Sequence, residues 1–206
     1  MKQVKMLLIA TVVLMARGSA LGQPPPAEAG PASQLAESGH VATDAGSAAY
    51  LIRRLPVSSF PDLPDLMTRV LSERACMIPQ TYQAHHPENV VHASLERAGS
   101  SDWAVLCSAH GTVSLLVFFA SAPARPATIK SAPEMQRLQV HDSSKVLGFN
   151  WAIDPASPKQ IREAQSGLDH HMPLLDHDAL ADTVLDRRTI YHLFAKNAWT
   201  LVEIPE

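Results

Sequence analysis

The densest run of apolar residues lies at 102–120, and its pattern predicts a β-hairpin. Two segments rich in Val, Leu, Phe and Trp, 102–109 and 112–119, are separated only by His110-Gly111, which is the length of a tight hairpin turn. Both faces of the hairpin are apolar, so we expect it to be central and covered on both sides. The turn also predicts which residues face each other: Trp103 with Phe118, Val105 with Leu116, and Cys107 with Ser114.

Other segments show periodic patterns that predict the remaining elements. Apolar residues recur at helical spacing over 64–75, and Ser157-Pro158 is typical of the start of a helix, here ending near residue 166. The expected strands are 89–95, 146–153, and a second hairpin of 189–195 with 198–204 in which Phe194 faces Trp199. The predicted fold class is therefore α+β, a mostly antiparallel sheet with two β-hairpins, one or two helices packed on it, and one disulfide.

The first 47 residues predict export and a linker. Lys2 and Lys5 precede an apolar run at 6–15, and small residues follow, which is typical of a signal peptide spanning 1–22. Residues 23–47 are rich in Pro, Ala, Gly and Ser with hardly a large apolar side chain, which predicts a disordered linker. Residues 48–206 suit a single globular domain. The expected location is periplasmic or secreted.

The charge of the mature chain excludes one class of partner. The full sequence carries a formal net charge of −3, and removing residues 1–22 takes away three basic residues and no acid, which brings the charge to −6. Nucleic-acid-binding proteins normally carry a basic patch, and none is visible in the sequence. No second long apolar stretch follows the signal peptide, so we expect no membrane span in the mature chain.

The cysteines Cys76 and Cys107 both belong to the mature chain. In an oxidising compartment a disulfide between them is the expected state, and in the chain-entropy model it stabilises the fold by about 3 to 4 kcal/mol. The alternative is two buried free thiols. A cysteine nucleophile is disfavoured because pairing would consume it.

Two stretches of the sequence resemble known families. Cys-Met-Ile-Pro-Gln at 76–80 and Asp-Trp-Ala-Val-Leu-Cys-Ser at 102–108 resemble a family of exported bacterial proteins that has no assigned activity, which implies export and the disulfide but no mechanism. The short segment 102–105 is also similar to an FG-GAP or VCBS type of β-blade, whose strand follows a calcium loop. Residues 97–101 lack the alternating acids of such a loop, so neither calcium nor a propeller is predicted.

Histidine and aspartate cluster between residues 169 and 182, which makes this loop the strongest candidate for chemistry. Imidazole and carboxylate groups are ligands of zinc. The spacing matches no metal motif, and adjacent histidines on a strand point to opposite faces, so a solvated acidic loop with capping aspartates is the favoured interpretation. The residues that would hold zinc are His170, His171, Asp176, His177 and Asp178.

Two other constellations carry weaker signals. Ser108 and His110 lie close together with Asp102 on the same strand, but the end of a hairpin is no nucleophile elbow, so a catalytic triad is not predicted. The three tryptophans either line a groove for a sugar or peptide or belong to the core, which is the favoured interpretation: Trp103, Trp151 and Trp199.

These observations favour a small exported protein without catalytic activity or a cofactor, which binds an unknown envelope or extracellular ligand and no nucleic acid. The alternative is a metal-dependent hydrolase that uses the His/Asp-rich loop 169–182. A third hypothesis is a structural component of the envelope that has no separable ligand.

Overall fold

The computed structural model describes residues 35–44, 46–141, 143–166 and 175–205. The predicted signal peptide 1–22, the first part of the predicted linker and the histidines His170 and His171 lie outside the described residues. The helices are α1 (Asp65–Glu73) and α2 (Pro158–Gln165), with short 3-10 turns at Val57–Ser59 and Glu134–Arg137. The strands are β1 (Leu35–Thr43), β2 (Gly46–Pro56), β3 (Met77–Gln80), β4 (Val90–Ala93), β5 (Asp102–Ala109), β6 (Thr112–Phe118), β7 (Ala127–Pro133), β8 (Leu138–Val140), β9 (Leu147–Phe149), β10 (Trp151–Ala156), β11 (Ala179–Val184), β12 (Arg188–Ala195) and β13 (Ala198–Pro205).

Most of the strands belong to one large sheet, and the others form a small one. The large sheet has the order β7-β6-β5-β3-β2-β9-β8, with β1 paired to β2 and β4 paired to β5. The small sheet has the order β10-β11-β12-β13. Strands β2 and β9 run parallel, whereas the other described pairs are antiparallel. A mostly antiparallel α+β fold with helices is therefore what the sequence predicted.

The β5–β6 hairpin lies at the centre of the fold. Its turn residues His110 and Gly111 both have positive φ, 52° and 75°, which is the geometry of a two-residue turn that matches the twist of the strands. Alternate side chains enter two separate apolar clusters, so both faces of the hairpin are covered. The observed register is the expected one and pairs Trp103 with Phe118, Val105 with Leu116, and Cys107 with Ser114.

One of these clusters is closed by α1 and by the disulfide. Helix α1 buries Met67 and Leu71 in the cluster, as its helical spacing predicts. The chain then leaves the helix, and Cys76 is bonded to Cys107 at the middle of β5, with a Cα–Cα distance of 5.1 Å. The disulfide thus ties the end of the helix segment to the central hairpin.

The small sheet contains the second predicted hairpin. Strands β12 and β13 pair so that Phe194 lies opposite Trp199, and the turn residues Lys196 and Asn197 have φ of 52° and 60°. Helix α2 begins after Ser157, whose side chain accepts a hydrogen bond from the backbone of Gln160 in a capping box. Both elements are those that the sequence predicted.

Two predictions from the pattern are wrong. Part of the predicted disordered linker 23–47 is a strand, since residues 35–43 form β1 and all of β1 pairs with β2. Backbone hydrogen bonds form this strand although most of its side chains are exposed, and residues 23–34 lie outside the described residues. The predicted single strand 146–153 is two strands in two different sheets. The chain crosses between the sheets at Asn150, whose backbone N–H donates to Arg137 O at 2.9 Å and whose carbonyl accepts from Leu185 N–H at 3.0 Å.

Within the described ranges, no helix combines the length and the apolar character needed to cross a membrane.

Candidate functional site

The described part of the predicted zinc cluster lies in the segment before β11, and its side chains are engaged with the protein. Both ring nitrogens of His177 have partners, since Nδ1 lies 2.9 Å from Asp176 Oδ1 and Nε2 lies 2.9 Å from the carbonyl oxygen of Phe194. The hydrogen bond from His177 lowers the pKa of Asp176. Asp178 faces another way, and its carboxylate accepts from the backbone N–H of Ser94 at 3.1 Å.

His177 and Asp178 therefore hold the loop against the backbone of other segments, and the exposed Asp176 binds the His177 ring. Among residues 35–44, 46–141, 143–166 and 175–205, no group of three His, Cys, Asp or Glu side chains is arranged to hold a metal ion. A zinc site that includes His170 and His171 stays a prediction. Elemental analysis of natively purified protein tests it, because a hydrolase of this kind requires a stoichiometric metal.

The polar residues of the central hairpin have structural partners. Ser108 Oγ donates to Glu134 Oε1 at 2.8 Å, and Glu134 is clamped by two guanidinium nitrogens of Arg54 at 3.0 and 2.6 Å. Asp102 is buried and accepts from the backbone N–H groups of residues 95, 96 and 120 at 2.8, 2.7 and 2.7 Å. Asp102 thus fixes the loops on either side of the hairpin, and Ser108 donates to the carboxylate of Glu134 and not to an imidazole.

A cleft beside the disulfide cluster is the best candidate for a binding site. It has a volume of about 590 Å³, within the range of pockets that hold small molecules. One wall is the segment that precedes α1, and the other is formed by β4, the loop before it and β5. Aromatic, apolar and polar side chains share the surface: Ser59, Phe60, Pro61, Asp62, Leu63, Pro87, Val90, His92 and Trp103.

The alternation of β4 and its register with β5 place the rings of this cleft. Val91 and Ala93 point into the core, whereas His92 points outward and lies opposite Trp103 on β5. The two rings stack with their centroids 4.4 Å apart and their planes 13° apart. Trp103 is only 8% exposed, so it forms the base of the cleft while His92 is presented to solvent.

The polar groups of the cleft differ in how far they are satisfied. His92 Nε2 lies 2.7 Å from Ser101 Oγ, which fixes the orientation of the ring. The hydroxyl oxygen of Ser59 is buried and has no hydrogen-bond partner among the described residues. A buried polar atom of this kind is uncommon in folded proteins and calls for an explanation. Asp62 adds an exposed carboxylate at the rim.

No protein-family model, curated protein or solved structure matches this chain. The site is therefore interpreted from its own geometry.

Sequence reasoning identified one member of the cleft and missed the others. Trp103 was a candidate for a groove and is in fact both core and cleft floor, while Trp151 is fully buried. Phe60 and Ser59 carry no motif, and they reach the cleft only because the chain turns between β2 and α1. Nothing in the local sequence could have indicated this meeting.

Proposed function

We propose that this protein is an exported, non-catalytic domain that binds a small ligand in the cleft over Trp103. The observation that carries the proposal is the buried Ser59 hydroxyl without a partner, in a cleft of about 590 Å³ whose other side chains are largely apolar and aromatic. A ligand hydroxyl or amide satisfies Ser59 once rotation of the side chain turns its buried hydroxyl towards the cleft, and the rings provide an apolar surface. This combination of a few polar groups in an apolar pocket is typical of small-molecule sites.

The cleft favours a ligand with a flat apolar face and a hydrogen-bonding edge. Phe60 and His92 offer ring surfaces, and aromatic rings bind other rings and the C–H faces of sugars by dispersion and by their edge charges. Asp62 provides an acceptor for a hydroxyl or a cationic group at the rim. A sugar or an aromatic amino acid from the envelope or the extracellular medium has this chemistry.

The disulfide supports the exported part of the proposal. A bond between Cys76 and Cys107 is stable in the periplasm or outside the cell and is rare in the reducing cytosol. The location is therefore proposed as periplasmic or secreted, and detection of the protein in the periplasmic or culture fraction is the direct test.

Binding is tested with a panel of monosaccharides, disaccharides and aromatic amino acids added to ¹⁵N-labelled protein. We expect at least one class to shift the indole N–H signal of Trp103 together with backbone signals of residues 59–63 and 87–92. The variant His92→Ala should weaken that binding by at least about fivefold, since it removes a stacking surface. His86→Ala is the matched control, because His86 is exposed and lies outside the cleft.

Two results would contradict the proposal. One is a panel in which no compound moves the cleft signals, or in which His86→Ala weakens binding as much as His92→Ala. The other is turnover by the purified protein in a broad hydrolase screen, which would show that the domain is catalytic.

A further inference from the structure

Three arginines surround a second, smaller pocket that lies between the two sheets and away from the cleft. The pocket has a volume of about 350 Å³. Its polar lining comes from the turn before β8, from the crossing point between β9 and β10, and from the turn between β11 and β12. The residues concerned are Gln136, Arg137, Asn150, Arg187 and Arg188.

Arg137 is held in place by an aromatic ring. The guanidinium carbon lies 4.2 Å from the ring centroid of Trp151, which is fully buried and donates its indole N–H to Asp182 Oδ1 at 2.6 Å. Stacking of this kind attracts the cation and leaves the edge of the guanidinium available for hydrogen bonds. Arg137 Nε is nevertheless buried without a partner among the described residues.

The positive charge of this pocket is poorly neutralised. Within the described ranges, no carboxylate lies at ion-pair distance from Arg137 or Arg187, and Arg188 has an exposed partner, Glu203, at 2.7 Å. Burial and the nearby Arg188 lower the pKa of Arg137, and the buried Asp182 offsets this only in part. Asp182 itself is already engaged by Lys130 and His192.

The turn also contains one carboxylate, Asp186, which is not among the residues that line the pocket. Its Oδ2 accepts a hydrogen bond from the hydroxyl of Tyr82 at 2.5 Å. The protein has a net charge of −3, yet these arginines form a local positive site in which, among the described residues, only Arg188 has a carboxylate at ion-pair distance.

The side chain of Asn150 requires a ligand that carries a hydrogen-bond donor. Asn150 is 4% exposed, and its side-chain Nδ2 donates to Gln139 Oε1 at 3.1 Å. The amide oxygen Oδ1 has no partner among the described residues, although it lies in a residue that lines the pocket. An anion with only acceptor oxygens, such as sulfate, leaves this oxygen unsatisfied.

We propose that the arginine pocket binds a phosphate that carries a hydroxyl, either hydrogen phosphate or the phosphomonoester of a polyol. The guanidinium groups of Arg137 and Arg187 donate to the phosphate oxygens in the fork geometry that arginine provides. The hydroxyl, on phosphorus or on the polyol, donates to Asn150 Oδ1. This site is independent of the cleft over Trp103.

Calorimetric titration of the folded protein with sodium phosphate, glycerol 3-phosphate and sodium sulfate at pH 7 and low salt tests the proposal. We expect saturable binding of the phosphate or of its ester, and sulfate binding weaker by about fivefold or more, because sulfate offers no donor. Arg187→Gln, at an exposed position, should weaken phosphate binding by about tenfold through the loss of a charge-assisted hydrogen bond. Arg69→Gln is the matched control with the same loss of charge on the exposed side of α1.

Arg137→Lys provides a second variant, which retains the positive charge and removes the paired N–H donors of the guanidinium group. It should also weaken phosphate binding by several fold, and the signals of Trp151 show whether the variant remains folded. The proposal is refuted if neither phosphate nor glycerol 3-phosphate binds saturably. It is also refuted if Arg69→Gln weakens their binding as much as Arg187→Gln does. Equal affinity for sulfate overturns the requirement for a hydroxyl. If only the ester binds, the polyol hydroxyl is the donor; if free phosphate binds equally well, the P–OH group is.

Discussion

Asp182 is the most heavily engaged buried carboxylate of the small sheet, and its replacement by asparagine tests how the two sheets are joined. Oδ1 accepts the Trp151 indole N–H at 2.6 Å, and Oδ2 lies 2.9 Å from Lys130 Nζ and 3.1 Å from His192 Nε2. Lys130 lies on β7 at the edge of the large sheet, whereas the other partners belong to the small sheet. Asp182→Asn keeps the shape of the side chain and removes its charge.

The expected loss of stability follows from burial and charge. The Asp182 side chain is 0% exposed and that of Lys130 is 27% exposed. Removing one partner of a fully buried ion pair costs about 3 to 5 kcal/mol, and the partial exposure of Lys130 reduces the expected cost here to about 2 to 4 kcal/mol. For a domain of this size the melting temperature should fall by roughly 5 to 15 °C.

Because Asp182 is charged, we also expect the free energy of unfolding to depend on pH. Burial by itself raises the pKa of Asp182, but the hydrogen bonds from His192 and Lys130 outweigh it, so the pKa in the folded protein is lowered. The unfolded state therefore binds the proton more readily, and the stabilisation is complete above the unfolded pKa of about 3.9 and lost as the pH falls through the folded value. The difference in unfolding free energy between wild type and Asp182→Asn should therefore shrink as the pH falls below about 4.

Urea unfolding followed by circular dichroism at pH 7, 5 and 3.5 measures both effects, with the disulfide intact. Asp44→Asn is the control, because Asp44 is exposed in the turn between β1 and β2. A loss below about 1 kcal/mol at pH 7, or a difference that is the same at pH 7 and at pH 3.5, would refute the interpretation that Asp182 is a buried, charged link between the two sheets.

Two further predictions concern the large sheet. Replacing Cys76 and Cys107 by alanine should lower the free energy of unfolding by about 3.5 kcal/mol in the chain-entropy model, because it opens a loop with a sequence separation of 31. A melting temperature that is unchanged by the double substitution or by reductant would contradict this. Gly148→Ala should cost about 1 to 3 kcal/mol, because the new Cβ would lie 2.6 Å from Tyr82 Cβ and the backbone of that loop must shift; a denaturant midpoint equal to that of wild type would show that the loop yields freely.

The elements predicted correctly are those with a strong local signal. The β5–β6 hairpin combines two apolar runs with a two-residue turn, and α1 has apolar positions at helical spacing. Helix α2 begins at a Ser-Pro pair that forms the capping box. In each case the side chains themselves report the local structure, so no knowledge of distant contacts is needed.

The elements missed are those that depend on distant partners. Strand β1 is mostly exposed and carries no apolar alternation, and its conformation comes from pairing with β2. Strand β11 has the buried Asp182 at its centre, so its sequence pattern predicts a polar loop. That carboxylate is tolerated only because Trp151, Lys130 and His192 meet it from other strands, which a single segment does not reveal.

The arginine pocket also depends on contacts between segments that are distant in the sequence. Arg137, Asn150 and Arg187 belong to separate segments, and backbone hydrogen bonds bring these together: Asn150 N–H donates to Arg137 O, and Leu185 N–H donates to Asn150 O. Any residue other than proline can make such bonds, so they leave no trace in the pattern of side chains. The crossing of the chain between the two sheets thus decides both the interruption of the strand predicted at 146–153 and the position of the pocket.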